Sequence, residues 1–186
     1  MTYNPTVHQR RSIRLQGYDY AQAGAYFITI CTHQREYLFG QIANKEMKLN
    51  DRGLVVKQEW EKSAVLRPYI ELHEFVIMPN HFHGIIWMLD DDGRDTARRV
   101  PTRRAPTVEQ FGKPVTGSIP TIVRAFKSAV TRQINLIRQT PGAPVWQRNY
   151  YEHIIRDDKS YEQIAQYILE NRAKWETDKL FVGGTL

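Results

Sequence analysis

Residues 74–88, Glu-Phe-Val-Ile-Met-Pro-Asn-His-Phe-His-Gly-Ile-Ile-Trp-Met, constrain the fold of this chain more than any other stretch. Aromatic and β-branched residues fill both halves, as strands require. Between the halves, Pro79 lacks an amide donor and Asn80 suits a turn, so the run is predicted to break there. Two strands forming a hairpin, or a sharply interrupted pair, are expected. His81 and His83 are two apart, which on a strand sends both imidazoles to one face and Phe82 to the other. Neutral imidazoles side by side can begin a divalent-metal site, which needs at least one further oxygen or nitrogen ligand. Gly84 beside the pair is expected to let a backbone or a substrate approach closely. Spacing alone leans toward two structural histidines. His8, His33, His73 and His153 stand at no ligand spacing from the pair.

The remaining elements are predicted around that hairpin. A strand is expected over residues 25–32 and a weaker one over 39–42. Asp51 is expected to cap a helix through Val56, Trp60 and Ala64 that Pro68 stops. Residues 118–138 have the apolar spacing of an amphipathic helix, burying Ile122, Phe126, Ala129, Val130 and Ile134. Residues 145–155 can form another strand. A final helix is expected to start near Ser160, in a capping box with Gln163, and to run through Tyr161, Ile164, Ala165, Ile168 and Trp175. Residues 1–20 form a basic arm ahead of a single domain over 21–186. Residues 90–117, rich in Asp, Arg, Thr, Pro and Gly, are expected to be a flexible insertion. An α+β fold follows, with an antiparallel sheet of four to five strands and helices packed on it.

Composition narrows the function classes. The 186 residues fit one domain, and no run of eighteen apolar residues suggests a membrane span. The N-terminus lacks the apolar core of a secretory signal, and the single cysteine, Cys31, excludes an intramolecular disulfide. A cytoplasmic location is therefore expected. The net charge of +6 is unevenly spread: no acidic residue lies between Glu109 and Glu152. Lys113, Arg124, Lys127, Arg132, Arg138 and Arg148 fall in that interval. Such a field suits a polyanion, although a solvated basic surface would carry the same signature. Arg98, Arg99, Arg103 and Arg104 in the insertion could add to it. Arg124, Lys127, Arg132 and Arg148 are the candidate DNA contacts outside it.

On the final helix, Tyr167 and Asn171 are four apart and share a face with Gln163, away from the apolar stripe. Tyr167 is therefore not needed for packing. Tyr150, Tyr151 and Tyr161 remain rival nucleophiles on spacing alone. A phenolate opposite a histidine-bound divalent cation, Mg2+ or Mn2+, could attack a phosphodiester in line and form a 5′-phosphotyrosyl link. Asn171 could complete the metal shell with its side-chain oxygen.

Met78-Pro79-Asn80-His81-Phe82-His83-Gly84-Ile85-Ile86-Trp87, then residues 145–156, Val-Trp-Gln-Arg-Asn-Tyr-Tyr-Glu-His-Ile-Ile-Arg, then the Tyr167 helix, together resemble the REP-associated tyrosine transposases. These are part of the single-tyrosine HUH transposase superfamily. The opening 11–20 and the strand 24–29 are similar to family members too, so the likeness spans about residues 8–176. It implies a ferredoxin-like (RRM-like) sheet and a divalent metal on His81 and His83. It also implies Tyr167 as nucleophile and cleavage and strand transfer of single-stranded DNA at REP-like hairpins. The protein would then be bacterial and nucleoid-associated, acting as a monomer or homodimer. One branch of the superfamily has a glutamine ligand where this chain has Asn171. Many members follow that position with proline, where this chain has Arg172, which would let the helix continue. A non-catalytic nucleic-acid-binding module and a phosphodiesterase using water are the competing readings.

Overall fold

The structure, a computed structural model, describes residue 15 and residues 17–89 and 115–182. Most of the N-terminal arm, residues 90–114 of the expected insertion and Arg98, Arg99, Arg103 and Arg104 lie outside the described residues.

The described chain has an α+β fold. The strands are β1 (Gly24–Cys31), β2 (Gly40–Ala43), β3 (Glu46–Leu49), β4 (Ile70–Met78), β5 (His81–Met88) and β6 (Tyr151–Ile155). The helices are α1 (Asp51–Val65), α2 (Ile119–Ile137) and α3 (Asp158–Glu170). Four strands make one antiparallel sheet in the order β4-β5-β1-β6, and β2 and β3 form a separate hairpin. The expected 74–88 hairpin is present as β4 and β5, joined at Pro79-Asn80. No helix among the described residues is long and apolar enough to cross a membrane.

Alternation along the strands builds two cores. Tyr26, Ile28 and Ile30 of β1 and Phe82 and Ile86 of β5 face α1 and α2, where they meet Trp60, Ile122, Phe126 and Val130. The other face carries Phe27, Val76, Met78 and Ile85, packed against Ala165 and Ile168 of α3 and against Trp175. A register shift between Leu72 and Phe75 interrupts the alternation of β4, the local kink of a β-bulge.

Several boundaries differ from expectation for identifiable reasons. Asn50, not Asp51, caps α1, because its side chain accepts from the amides of Arg52 and Gly53. Asp157 caps α3 by accepting from Ser160 N at 2.7 Å, so the expected Ser160–Gln163 box does not form the cap. α3 stops at Glu170 even without a following proline, and Trp175 sits in a separate short 3-10 turn. β6 begins only at Tyr151; Trp146 makes an isolated bridge to Thr32. Gly84 faces α1, where an added Cβ would stand 2.7 Å from Trp60 Cζ2. Its missing side chain makes room for core aromatics, not for a substrate.

Candidate metal centre and tyrosine site

The centre forms where β5 passes under the end of α3. His81 and His83 are both buried, and both point to the α3 face, while Phe82 fills the opposite core. Neighbours fix each ring. Asn80 Nδ2 donates to Leu180 O at 2.8 Å and to Arg35 O at 3.3 Å, which turns its Oδ1 toward His81. That oxygen accepts from His81 Nδ1 at 2.8 Å, leaving the lone pair of His81 on Nε2. Thr29, directly across from His83 on β1, brings its hydroxyl to 2.7 Å from His83 Nδ1. The Nε2 atom of His83 therefore faces α3.

Tyr167 reaches the same place from the helix. Its hydroxyl lies 3.1 Å from His83 Nε2 and 3.5 Å from Asp178 Oδ2. The ring leans edge-on to Phe27 yet keeps 43% of its surface exposed, so a substrate can reach it. The rival tyrosines lie elsewhere. Tyr161 donates to Glu74 Oε2 and contacts His73 Nδ1, near the bulge of β4. Tyr150 packs against the α1/α2 core. Tyr151 is on the α3 face, but two strands from His83.

Asp178 is the residue that sequence reasoning missed. Its carboxylate and the ligating nitrogens of His81 and His83 all lie within 4.8 Å of one another. Asn171 Nδ2 donates to Asp178 Oδ2 at 3.1 Å, and Leu180 N donates to Asp178 Oδ1 at 2.6 Å. Asn171 thus lies beside the His81–His83–Asp178 cluster, with its amide nitrogen committed to Asp178. Among the described residues, the buried atoms His81 Nε2 and Asn171 Oδ1 have no hydrogen-bond partner. Both are electron-pair donors, and with a carboxylate beside them the set fits a divalent cation. No motif spacing pointed to Asp178, because it follows an irregular turn after α3.

Electrostatics agree with that fit. Burial lowers His81 to about 4, against the opposing pull of Asp178, and burial holds His83 well below its ordinary value. Both imidazoles are therefore neutral ligands at neutral pH. Burial, followed by the Asp178 charge, pushes Tyr167 up to about 12. The hydroxyl is protonated until positive charge arrives.

The candidate DNA residues separate into three groups. Arg132 and Arg148 line an open groove of about 690 Å³ between α2 and the 141–148 loop. No acidic side chain among the described residues lines it. Lys127 also borders the groove, but its ammonium donates to Gln147 O at 2.7 Å and Arg148 O at 3.1 Å. Burial lowers it to about 8. Two of its three donors thus tie the 147–148 loop to α2. Arg124 is exposed on α2 outside the groove.

No family model matches the chain. An uncharacterized protein of Haemophilus influenzae is 48% identical over 180 residues, covering 97% of both chains, and the two belong to one family. A second protein of that organism, provisionally named a REP-associated tyrosine transposase, is 25% identical over 157 residues. That match covers 84% of this chain and 74% of the relative. Among solved structures, a REP-associated tyrosine transposase bound to a REP hairpin superposes with a TM-score of 0.56 at 20% identity. The superposition covers 91% of this chain and 75% of that one. Likeness in fold and weaker likeness in sequence point the same way: the chain shares the fold of a REP-associated tyrosine transposase and is similar, at 25% identity, to a protein provisionally given that name.

Proposed function

We propose that this protein is a metal-dependent single-stranded DNA endonuclease and transposase with Tyr167 as its nucleophile. The observation that carries the reading is the Tyr167 hydroxyl standing 3.1 Å from His83 Nε2, beside Asp178 and the neighbouring His81. Mg2+ or Mn2+ held by His81, His83 and Asp178, with Asn171 alongside, would supply positive charge for the scissile phosphate. The phenolic oxygen forms a bond to phosphorus as the bond from phosphorus to the 3′-oxygen breaks. The phenolic proton leaves to solvent as the bond to phosphorus forms, and the departing 3′-oxygen takes a proton from solvent, so the step is proton-neutral. A 5′-phosphotyrosyl link and a free 3′-hydroxyl remain, and a second 3′-hydroxyl can reverse the step to join strands.

Two further features support the substrate. The succession β1-α1-β4-β5-α2-β6 with the order β4-β5-β1-β6 is that of a ferredoxin-like sheet, and on the α3 face the exposed part of β6 could receive an unpaired strand. The groove carrying Arg132 and Arg148 offers phosphate contacts, and we assign it to the backbone of a REP-like hairpin.

The test is covalent capture. Labelled single-stranded DNA with a REP-like hairpin is incubated with Mn2+ and the wild type, Tyr167→Phe or His83→Ala, then run on denaturing gels. A protein–DNA adduct mapping to Tyr167, lost in both variants and in chelator, is expected. Tyr167→Phe should still bind. Cleavage without an adduct would make water the nucleophile, and binding with no cleavage by the wild type would leave a binding module.

A further inference from the structure

The face of the sheet that holds the histidines is only partly covered. α3 lies over β4 and β5 and reaches β6 only at buried Ile155, while Tyr151 and His153 earlier on β6 stay exposed. One cross-strand row runs Val76, His83, Thr29, Tyr151, and the next runs Ile85, Phe27, His153. At a strand spacing of about 4.8 Å, Tyr151 lies about 10 Å from His83 across the sheet. Its ring meets Phe27 edge-on at 6.4 Å, and Phe27 in turn stacks on His83 at 5.3 Å and touches Tyr167 at 6.2 Å. Phe27 is buried, whereas Tyr151 is 51% exposed and His153 is exposed beside it. An aromatic ring is thus fixed at its base and open on top, on the sheet face that carries Tyr167 and linked to it through Phe27. Exposed Arg148 and Arg156 bracket β6 in sequence, where they can pair with phosphates.

We propose that Tyr151 is a stacking platform for an unpaired nucleobase flanking the scissile phosphate, with His153 bordering the same subsite. The inference rests on the single-strand cleavage reading above and adds the subsite that orients the strand. The chemistry is general: an exposed ring on a sheet face accepts the π-face of any base, and each such stack contributes about 1–3 kcal/mol. That range corresponds to roughly a 5- to 150-fold change in affinity. Phe27 makes the platform rigid, because its ring contacts Tyr151, His83 and Tyr167 together. A base seated on Tyr151 would therefore hold its phosphate toward Tyr167.

Single-stranded oligonucleotides carrying one 2-aminopurine, moved stepwise across the cleavage position, report stacking as fluorescence quenching. They are titrated in Mn2+ into Tyr167→Phe protein, which cannot cut, and into the same protein with Tyr151→Phe, Tyr151→Ala or Trp87→Ala added. Quenching at one or two adjacent positions is expected, kept by Tyr151→Phe and lost by Tyr151→Ala with a 5- to 150-fold weaker affinity. Circular dichroism and thermal melting of each variant separate this loss from unfolding. In the Tyr167-containing background, Tyr151→Ala should still form the covalent adduct, at higher DNA concentration. Unchanged quenching and affinity in Tyr151→Ala, or loss in Trp87→Ala instead, would overturn the platform while leaving the nuclease reading intact. A Tyr151→Ala chain that changes only its oligomeric mass would assign the ring to contact between copies and overturn it too. Absence of adduct and of binding in the wild type would remove both proposals.

Discussion

Asn80 makes three side-chain hydrogen bonds, and each reaches a different part of the molecule. It receives from His81, donates to Arg35 O in the loop after β1, and donates to Leu180 O near the end of the described chain. The residue therefore sets the tautomer of a metal ligand and anchors the segment that carries Asp178. Asn80→Ala is expected to weaken Mn2+ binding by about 10- to 100-fold, the usual cost of losing a partner behind a ligand. Titration calorimetry on the metal-stripped protein measures it, and an unchanged affinity would reduce Asn80 to a turn residue. The histidine pair and Tyr167 were legible in the sequence because strand and helix periods put them on defined faces. Asn80 read only as a break between strands, and Asp178 not at all. Both act through irregular backbone, which has no period to read.

At the level of elements, the sequence exposed what alternates and hid what is cut short. β1, β5 and α2 follow their apolar patterns closely, whereas the bulge between Leu72 and Phe75 interrupts β4. The β2–β3 hairpin was half seen, because Gly40–Ala43 is weakly apolar and its partner Glu46–Leu49 alternates charge with bulk. β6 is shorter than the apolar run suggests, since Val145 and Trp146 turn away to pack at the end of β1. Gly84 shows how tightly the central hairpin meets α1. A methyl group there would meet Trp60 at 2.7 Å and Phe82 at 2.8 Å, both in the packed core. Gly84→Ala is expected to destabilise the protein by about 1–3 kcal/mol through overpacking, read as a lower urea midpoint at unchanged slope. Adding Trp60→Leu should recover part of that loss; no recovery would place the strain elsewhere.

For the whole molecule, the uneven charge implies binding that depends on salt. The slope of log affinity against log salt falls by about 0.9 for each phosphate contact removed from a duplex such as the hairpin stem, and by about 0.7 for one removed from a single strand. Arg132→Ala and Arg148→Ala are each expected to reduce the slope by about the duplex amount, measured by fluorescence anisotropy between low and physiological salt. Lys127→Ala should instead lower the melting temperature, because its ammonium holds the carbonyls of Gln147 and Arg148. Equal slopes for wild type and both arginine variants would remove the groove from the interface.

The chemistry of the centre is spread along the chain in a particular order: the histidines at 81 and 83, the tyrosine at 167, the carboxylate at 178. A ribosome releases a chain from its N-terminus. The histidines therefore emerge well before β6, α3 and the turn that brings in Asp178. The growing polypeptide can build much of its sheet while the groups that cut and hold metal are still being made. Any product that stops before residue 178 has the histidines of the sheet without the complete His81–His83–Asp178 cluster. On the nuclease reading proposed above, translation delays the complete centre until its carboxylate at 178 has been made.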